Sequence, residues 1–274
     1  MAGLARRGEE VTFDWGELGQ PSAMHAALEA FLARGFLVLR GVPTEPEQIL
    51  EVARAFGYPR DTNFGRYFEV YSRPVANDLA YSAVPLGPHT DNPYREPVPG
   101  IQMLHCLVNE TTGGLSTLVD SLAVCEALAA EDRDAWERLA STPVRFRFVD
   151  RDAEFIERRP IIRRNAVGEM TGVHYSPRLD YLPLLEPAEL AAFQRARRRL
   201  GELLVDPRFE IRFPLRAGEL MMFDNSRILH GRTGFDPQEG RRHLQGCYID
   251  IDEPRSRYRT LSRRLQASAT PEEA

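Results

Sequence analysis

A chain of 274 residues, 43% hydrophobic and 27% charged, has the composition of an ordinary globular protein and room for one large or two small domains. The net charge of −5 offers no nucleic-acid footprint, and all 35 basic residues are arginine, which excludes a Schiff-base lysine and a Walker lysine. Cys106, Cys125 and Cys247 are widely spaced, no apolar run is long enough to span a membrane, and "MAGLARRGEEVTFDW" carries no apolar signal core; reduced thiols in a cytoplasm are therefore expected.

Met24, Ala27, Leu28, Phe31 and Leu32 recur at helical spacing and predict a helix over 23–34. "GFLVLRGV" reads as a buried strand, and Thr44 is placed to cap a second helix over 45–56. Residues 57–99 are rich in aromatics, Pro, Asn and Asp, which predicts loops and short strands of the kind that carry function. "GIQMLHCLV" and "LSTLVDS" read as strands around the turn-forming "NETTGG", and 121–139 as one helix. "PVRFRFV", "RPIIRR" and "MTGVHYS" are further strands, before an amphipathic helix over 187–205. "FEIRFPL", "GELMMFD", "RILHGR" and "HLQGCYIDI" complete the strand-rich half.

Helices first and many strands later predict a mixed α/β, mainly β fold: a double-stranded β-helix (jelly-roll) core with helices packed on one face. Neither an internal repeat nor a linker divides the chain. Residues 1–262 are expected to form a single domain, and 263–274 a disordered tail.

His89 and Asp91 are two residues apart, so in extended backbone both side chains leave the same face. With His230, expected from the other end of the barrel, they make the two-imidazole, one-carboxylate set of a non-heme Fe(II) oxygenase, whose opposite face stays open. An isolated HxD tripeptide is more often structural than ligating. Arg242, twelve residues beyond His230, changes the balance, because it stands where such a site would hold a dicarboxylate cosubstrate. His25, His105, His174 and His243 lack such a context and read as surface or core histidines. Asp91 also argues for oxygen transfer over halogenation, since a site without the carboxylate would keep a position for halide.

Arg241 and Arg242 compete for the carboxylate, and strand period decides. Arg242, Leu244, Gly246 and Tyr248 share one face and suit a site wall, with a guanidinium fork for a carboxylate. Ser116 could add a hydroxyl to that carboxylate, or could equally bond its own turn. The arginines over 195–199 lie beside acidic residues and read as a solvated helix face.

"HTDNPYREPVPGIQMLHCLVNETTGGLSTLVDS" and "MMFDNSRILHGRTGFDPQEGRRHLQGCYIDID" resemble the γ-butyrobetaine and trimethyllysine hydroxylases of the taurine-dioxygenase-like group, and the resemblance extends to "DEPRSRYRTLSRRL". It implies a double-stranded β-helix, Fe(II), 2-oxoglutarate and O2. It also implies an aromatic cage for a trimethylammonium group on Phe64, Phe68, Tyr81 and Tyr248, which makes physical sense for a cation without N–H donors. Phe64 and Phe68 stand where the family has Tyr and Trp, and plain packing is their other reading. Asp78 matches a position that faces the substrate's far end, where a carboxylate attracts an amine; it could also be a turn aspartate. Asn92 and Arg178 are further candidates for the polar end of a substrate. The family often carries an extra N-terminal domain, whereas this chain is expected to begin at the catalytic region; dimerisation borrowed from that domain is therefore not assumed, and a homodimer is kept as one expected oligomeric state.

The expected reaction is hydroxylation of an unactivated C–H in a small zwitterion bearing a methylated amine, with release of succinate and CO2. One alternative keeps the iron chemistry but takes an unmethylated amino acid, a sulfonate or phosphonate, or a natural-product intermediate, with desaturation or cyclisation as other outcomes. The other is a metal-binding jelly roll that is no oxygenase. The expected partner is a small molecule, with neither nucleic acid nor membrane involved.

Overall fold

The computed structural model describes residues 9–71 and 83–269, and its architecture is mixed α/β. The largest sheet has six strands in the order β1 (Thr12–Asp14), β2 (Phe36–Arg40), β13 (Leu220–Asp224), β5 (Ile101–Asn109), β15 (Arg242–Ile249) and β3 (Phe68–Tyr71). A four-stranded sheet runs β12 (Glu210–Phe213), β6 (Ser116–Asp120), β14 (Ile228–Arg232) and β4 (Leu86–His89). Among the described residues two small sheets complete the set, β11 (Asp180–Tyr181), β7 (Pro143–Val149) and β8 (Glu154–Pro160) in one, β10 (Met170–Val173) and β9 (Ile162–Arg164) in the other.

Alternation sorts the six-stranded sheet's side chains into two cores. Leu37, Leu39, Met103, Leu220, Met222 and Cys247 face helices α1 (Pro21–Arg34), α2 (Gln48–Phe56) and α6 (Asp252–Ala269). The intervening residues Phe36, Val38, Leu104, Met221, Phe223 and Leu244 turn the other way, onto Leu118, Phe213 and Ile228 of the four-stranded sheet. The two sheets therefore share a core. Beyond it, Val119 and Leu229 on the second sheet's outer side pack with α3 (Ser121–Glu131), α4 (Arg133–Ser141) and α5 (Pro187–Leu204). Helices thus cover both outer sides, not the single face expected, because each sheet has an apolar outer face of its own to bury.

Local differences have identifiable causes. The second helix starts at Gln48, not Glu45, and Thr44 is not its cap; Glu47 occupies that position at φ 68, its N–H donating to Gln245 Oε1 at 2.9 Å. That partner lies 198 residues away, out of reach of any local pattern. The single helix over 121–139 is two helices, broken at Asp132, whose carboxylate accepts from Ala135 N at 2.9 Å and caps α4. "RPIIRR" splits at Ile161 because its halves pair with different strands, β7 and β10. Helix α6 extends to Ala269, so 263–269 are helical rather than disordered, while 270–274 lie outside the described residues. The buried Leu261 and the stacking of Tyr258 on His25 at 4.7 Å hold α6 against α1. The three cysteines are free and buried, and no described helix is long and apolar enough to cross a membrane.

Candidate metal centre

His89 ends β4 and His230 is its cross-strand partner on β14, so the two imidazoles start from directly opposed backbone positions, with ring centroids 4.2 Å apart. The expectation that His230 comes from the other end of the barrel is thereby corrected: antiparallel pairing makes the two histidines neighbours. Asp91 follows just past the strand, with Oδ1 3.3 Å from His89 Nε2 and Oδ2 4.0 Å from His230 Nε2. One ligand atom from each of the three lies within 4.8 Å of the others.

Every residue of the triplet is held from outside it. His89 Nδ1 sits 3.0 Å from Gly87 O, which directs Nε2 to the shared centre. Thr90 N donates to Tyr175 O at 2.7 Å, and Tyr175 N donates to Thr90 Oγ1 at 2.9 Å. Asn225, fully buried, grips the Asp91 backbone on both sides: its Oδ1 accepts from Asp91 N at 2.8 Å, and its Nδ2 donates to Asp91 O at 2.9 Å and Pro99 O at 3.0 Å. The sequence reading missed Asn225, whose role depends on a contact across 134 residues. Asn225→Ala strands these backbone groups at about 1–3 kcal/mol each, so thermal unfolding should drop by several degrees and Mn(II) affinity should fall with it. An unchanged melting temperature would show the clamp to be dispensable.

The electrostatics suit a divalent cation. Burial, then the neighbouring His89, pushes His230 down to about 3, which leaves a neutral imidazole with a free lone pair. Burial alone would raise the Asp91 carboxyl, but hydrogen bonding to His89, the charges of both histidines and the Tyr248 hydroxyl hold it well below the usual carboxylate range. Two imidazole nitrogens and one carboxylate oxygen, converging from one side, fit Fe(II) or a similar divalent ion.

The triad opens into a cavity of about 330 Å³ between the two main sheets. Arg242 is buried in its wall, donating to Gly114 O at 3.2 Å, and burial lowers its pKa. A Cβ on Gly114 (φ 64) would meet Arg242 Nε at 2.8 Å, so only glycine lets the guanidinium pass. Arg241, by contrast, is exposed and pairs with Glu110. Ser116 is buried on the same wall, opposite Arg232 in the ladder. Arg232 is a second buried guanidinium of this cavity, its pKa lowered to about 10 by burial and by Arg242, and the two flank the Phe235 ring at 5.3 and 5.6 Å. The sequence reading overlooked Arg232, although a position two beyond His230 shares its strand face.

Aromatic rings form the opposite wall. Phe64 lies 6.3 Å from Phe68, and Phe68 lies 5.4 Å from Tyr248. A Cβ on Gly246 would approach Phe68 Cζ to 2.3 Å, so this glycine makes room for the ring. Phe148, edge-on to Phe64 at 5.8 Å, and Tyr94, stacked on Phe148 at 4.9 Å, extend the wall; neither was singled out from the sequence. Asn92 is buried beside Asp91 at φ 56, and the exposed Arg178 stands at the mouth. Asp78 and Tyr81 lie outside the described residues. Of the four remaining histidines, His105 and His174 are buried away from the triad, His25 stacks on Tyr258, and His243 meets Glu69 at 2.5 Å.

A family model described as "Taurine catabolism dioxygenase TauD, TfdA family" matches residues 2–248. The chain is 42% identical over 229 residues to a gamma-butyrobetaine dioxygenase of Pseudomonas sp. (strain AK-1), covering 84% of this chain and 60% of that protein. It is 31% identical over 233 residues to a trimethyllysine dioxygenase of Meyerozyma guilliermondii, covering 83% and 58%. The chain thus spans about three fifths of the length of these relatives. Among solved structures, an asparagine oxygenase in complex with Fe(II), 3-hydroxyasparagine and succinate superposes with a TM-score of 0.66 at 20% identity, over 84% of this chain and 82% of that one.

Proposed function

The chain belongs to the TauD, TfdA family, and from that premise we propose that it is an Fe(II)- and 2-oxoglutarate-dependent oxygenase of a small zwitterion carrying a methylated amine. One observation carries this reading: the cavity that contains the two-histidine, one-carboxylate set also contains the buried guanidinium of Arg242. A hydrolase has no use for a dicarboxylate anchor.

We read the two facing sheets as a double-stranded β-helix, a reading supported by the superposition on a solved Fe(II) oxygenase. In this reading the single catalytic domain expected over 1–262 runs on to the end of α6 at Ala269, working in the cytoplasm with its thiols reduced. When bound, Fe(II) with 2-oxoglutarate and O2 supplies oxidation of an unactivated C–H, releasing succinate and CO2. His89, Asp91 and His230 hold the metal from one side. Arg242, with Ser116, would bind the far carboxylate of the cosubstrate. Phe64, Phe68 and Tyr248 pack against the substrate's cationic head, joined by Phe148, and exclude water from the centre. Asn92 and Arg178 face the polar end. Asp78 and Tyr81 stay in the proposal on the family resemblance alone.

The relatives that act on γ-butyrobetaine and trimethyllysine by name support a trimethylammonium substrate. A second reading, an unmethylated amine on the same iron chemistry, has one observation in its favour. Gln102, 2% exposed, lines the cavity between Tyr248 and Phe223, and its Oε1 has no hydrogen-bond partner among the described residues. A substrate N–H would satisfy it, and a trimethylammonium has none.

The test is anaerobic loading with Fe(II) and 2-oxoglutarate, admission of O2, and measurement of succinate with a panel of betaines and amino acids. Stimulation several-fold above the substrate-free rate by a trimethylated compound is expected. Stimulation by unmethylated compounds alone moves the weight to Gln102, and a protein that neither binds nor consumes 2-oxoglutarate is no oxygenase of this kind.

A further inference from the structure

Tyr248 takes part in two structures at once. Its ring lies in the aromatic wall, 5.4 Å from Phe68, while its hydroxyl donates to Asp91 Oδ2 at 2.7 Å. A wall residue would need only the ring. The hydroxyl is spent on a metal-ligand candidate.

The consequence follows from the carboxylate's geometry. Asp91 has two equivalent oxygens, either or both of which can bind a metal. Its backbone is fixed by Asn225 at N and O, so the carboxylate is left only its side-chain rotations. Tyr248 sets those rotations by engaging Oδ2, while Oδ1 lies 3.3 Å from His89 Nε2. Tyr248 is itself immobilised, buried on β15 with Gln102 as its cross-strand neighbour. A facial triad works because each residue donates one atom, leaving three positions free, two of them needed by a chelating 2-oxo acid. A carboxylate bound through both oxygens would close one of the three.

We propose that Tyr248 is a positioning residue that restricts Asp91 to one metal-bound oxygen and so keeps a coordination position open for the cosubstrate. The inference rests on the metal reading above and assigns the Tyr248 hydroxyl a duty separate from any contact its ring makes with substrate.

Tyr248→Phe keeps the ring and deletes the hydroxyl. Metal-free protein is titrated calorimetrically with Mn(II), and the loaded protein then with 2-oxoglutarate. In Tyr248→Phe the 2-oxoglutarate affinity is expected to fall about tenfold or more, within the range for loss of a hydrogen bond to a ligating group. Tyr67→Phe deletes a hydroxyl that donates to Glu47 instead, away from Asp91, and should leave that affinity within about twofold of the parent. An unchanged 2-oxoglutarate affinity in Tyr248→Phe, with only the substrate KM altered, overturns the inference and leaves Tyr248 a wall residue. A parent that does not bind Mn(II) overturns the metal reading instead. If Tyr248→Phe melts well below the parent, ring-13C-tyrosine NMR of the parent takes its place. Zn(II) should then shift one buried tyrosine resonance, and the absence of such a shift counts against the inference.

Discussion

His230→Ala should cost at least about a thousandfold in Mn(II) or Fe(II) affinity, the factor that about 4 kcal/mol represents, and should abolish substrate-dependent succinate formation. The loss is large because the remaining donors, His89 and Asp91, lie two residues apart on one segment and cannot enclose an ion from two sides. His230 supplies the only donor of the triad from another strand, placed opposite His89 by the β4–β14 pairing. The fold should survive. The imidazole packs on Phe223 at 4.8 Å and on His89 at 4.2 Å, and its Nδ1 has no hydrogen-bond partner among the described residues, so truncation strands no partner of that atom. The cost to stability is then that of a small cavity, about 1–3 kcal/mol. Calorimetric titration beside a thermal melt separates the two effects. Metal binding at parental affinity would remove His230 from the centre.

Arg242→Met should weaken 2-oxoglutarate binding to the Mn(II)-loaded protein by about a hundredfold or more, corresponding to the 2–5 kcal/mol lost with one partner of a buried charge pair, and leave metal affinity unchanged. The melt of the ligand-free protein makes this prediction specific. Arg242 and Arg232 are both buried around Phe235; burial depresses both pKa values, and the Arg242 charge lowers that of Arg232 further. Replacing one by an apolar side chain of similar length removes that repulsion, and the ligand-free form should melt at or above the parent's temperature. A variant that melts early but still binds 2-oxoglutarate normally would make Arg242 a structural residue.

These expectations differ in how far the sequence could have supplied them. The closeness of His89 to Asp91 and the burial of Arg242 were legible because their logic is local. His89 and Asp91 share a face by strand period, and the same period separates Arg242, buried, from Arg241, exposed. Arg232 was equally legible on that rule and was passed over. Phe148 and Tyr94 were not: nothing in "PVRFRFV" marks one phenylalanine as a cavity wall, and the distinction arises only when β7 is laid beside the segment after Asp91. The second helix began late, and 121–139 broke in two, because Gln245 and the cap at Asp132 outweighed helical propensity.

By itself, then, the sequence determined the periodicities: which strands form, which faces of them are apolar, and which histidine, aspartate and arginine share a face. Tertiary structure alone decided what meets those faces. It made His89 and His230 cross-strand partners, set Asn225 on the Asp91 backbone across 134 residues, turned the Tyr248 hydroxyl onto the Asp91 carboxylate, and gave both main sheets a helical cover. The physical reason is range. Alternation and helical pitch follow from backbone geometry within a few residues, whereas a hydrogen bond between distant segments exists only after chain packing has brought donor and acceptor within about 3 Å.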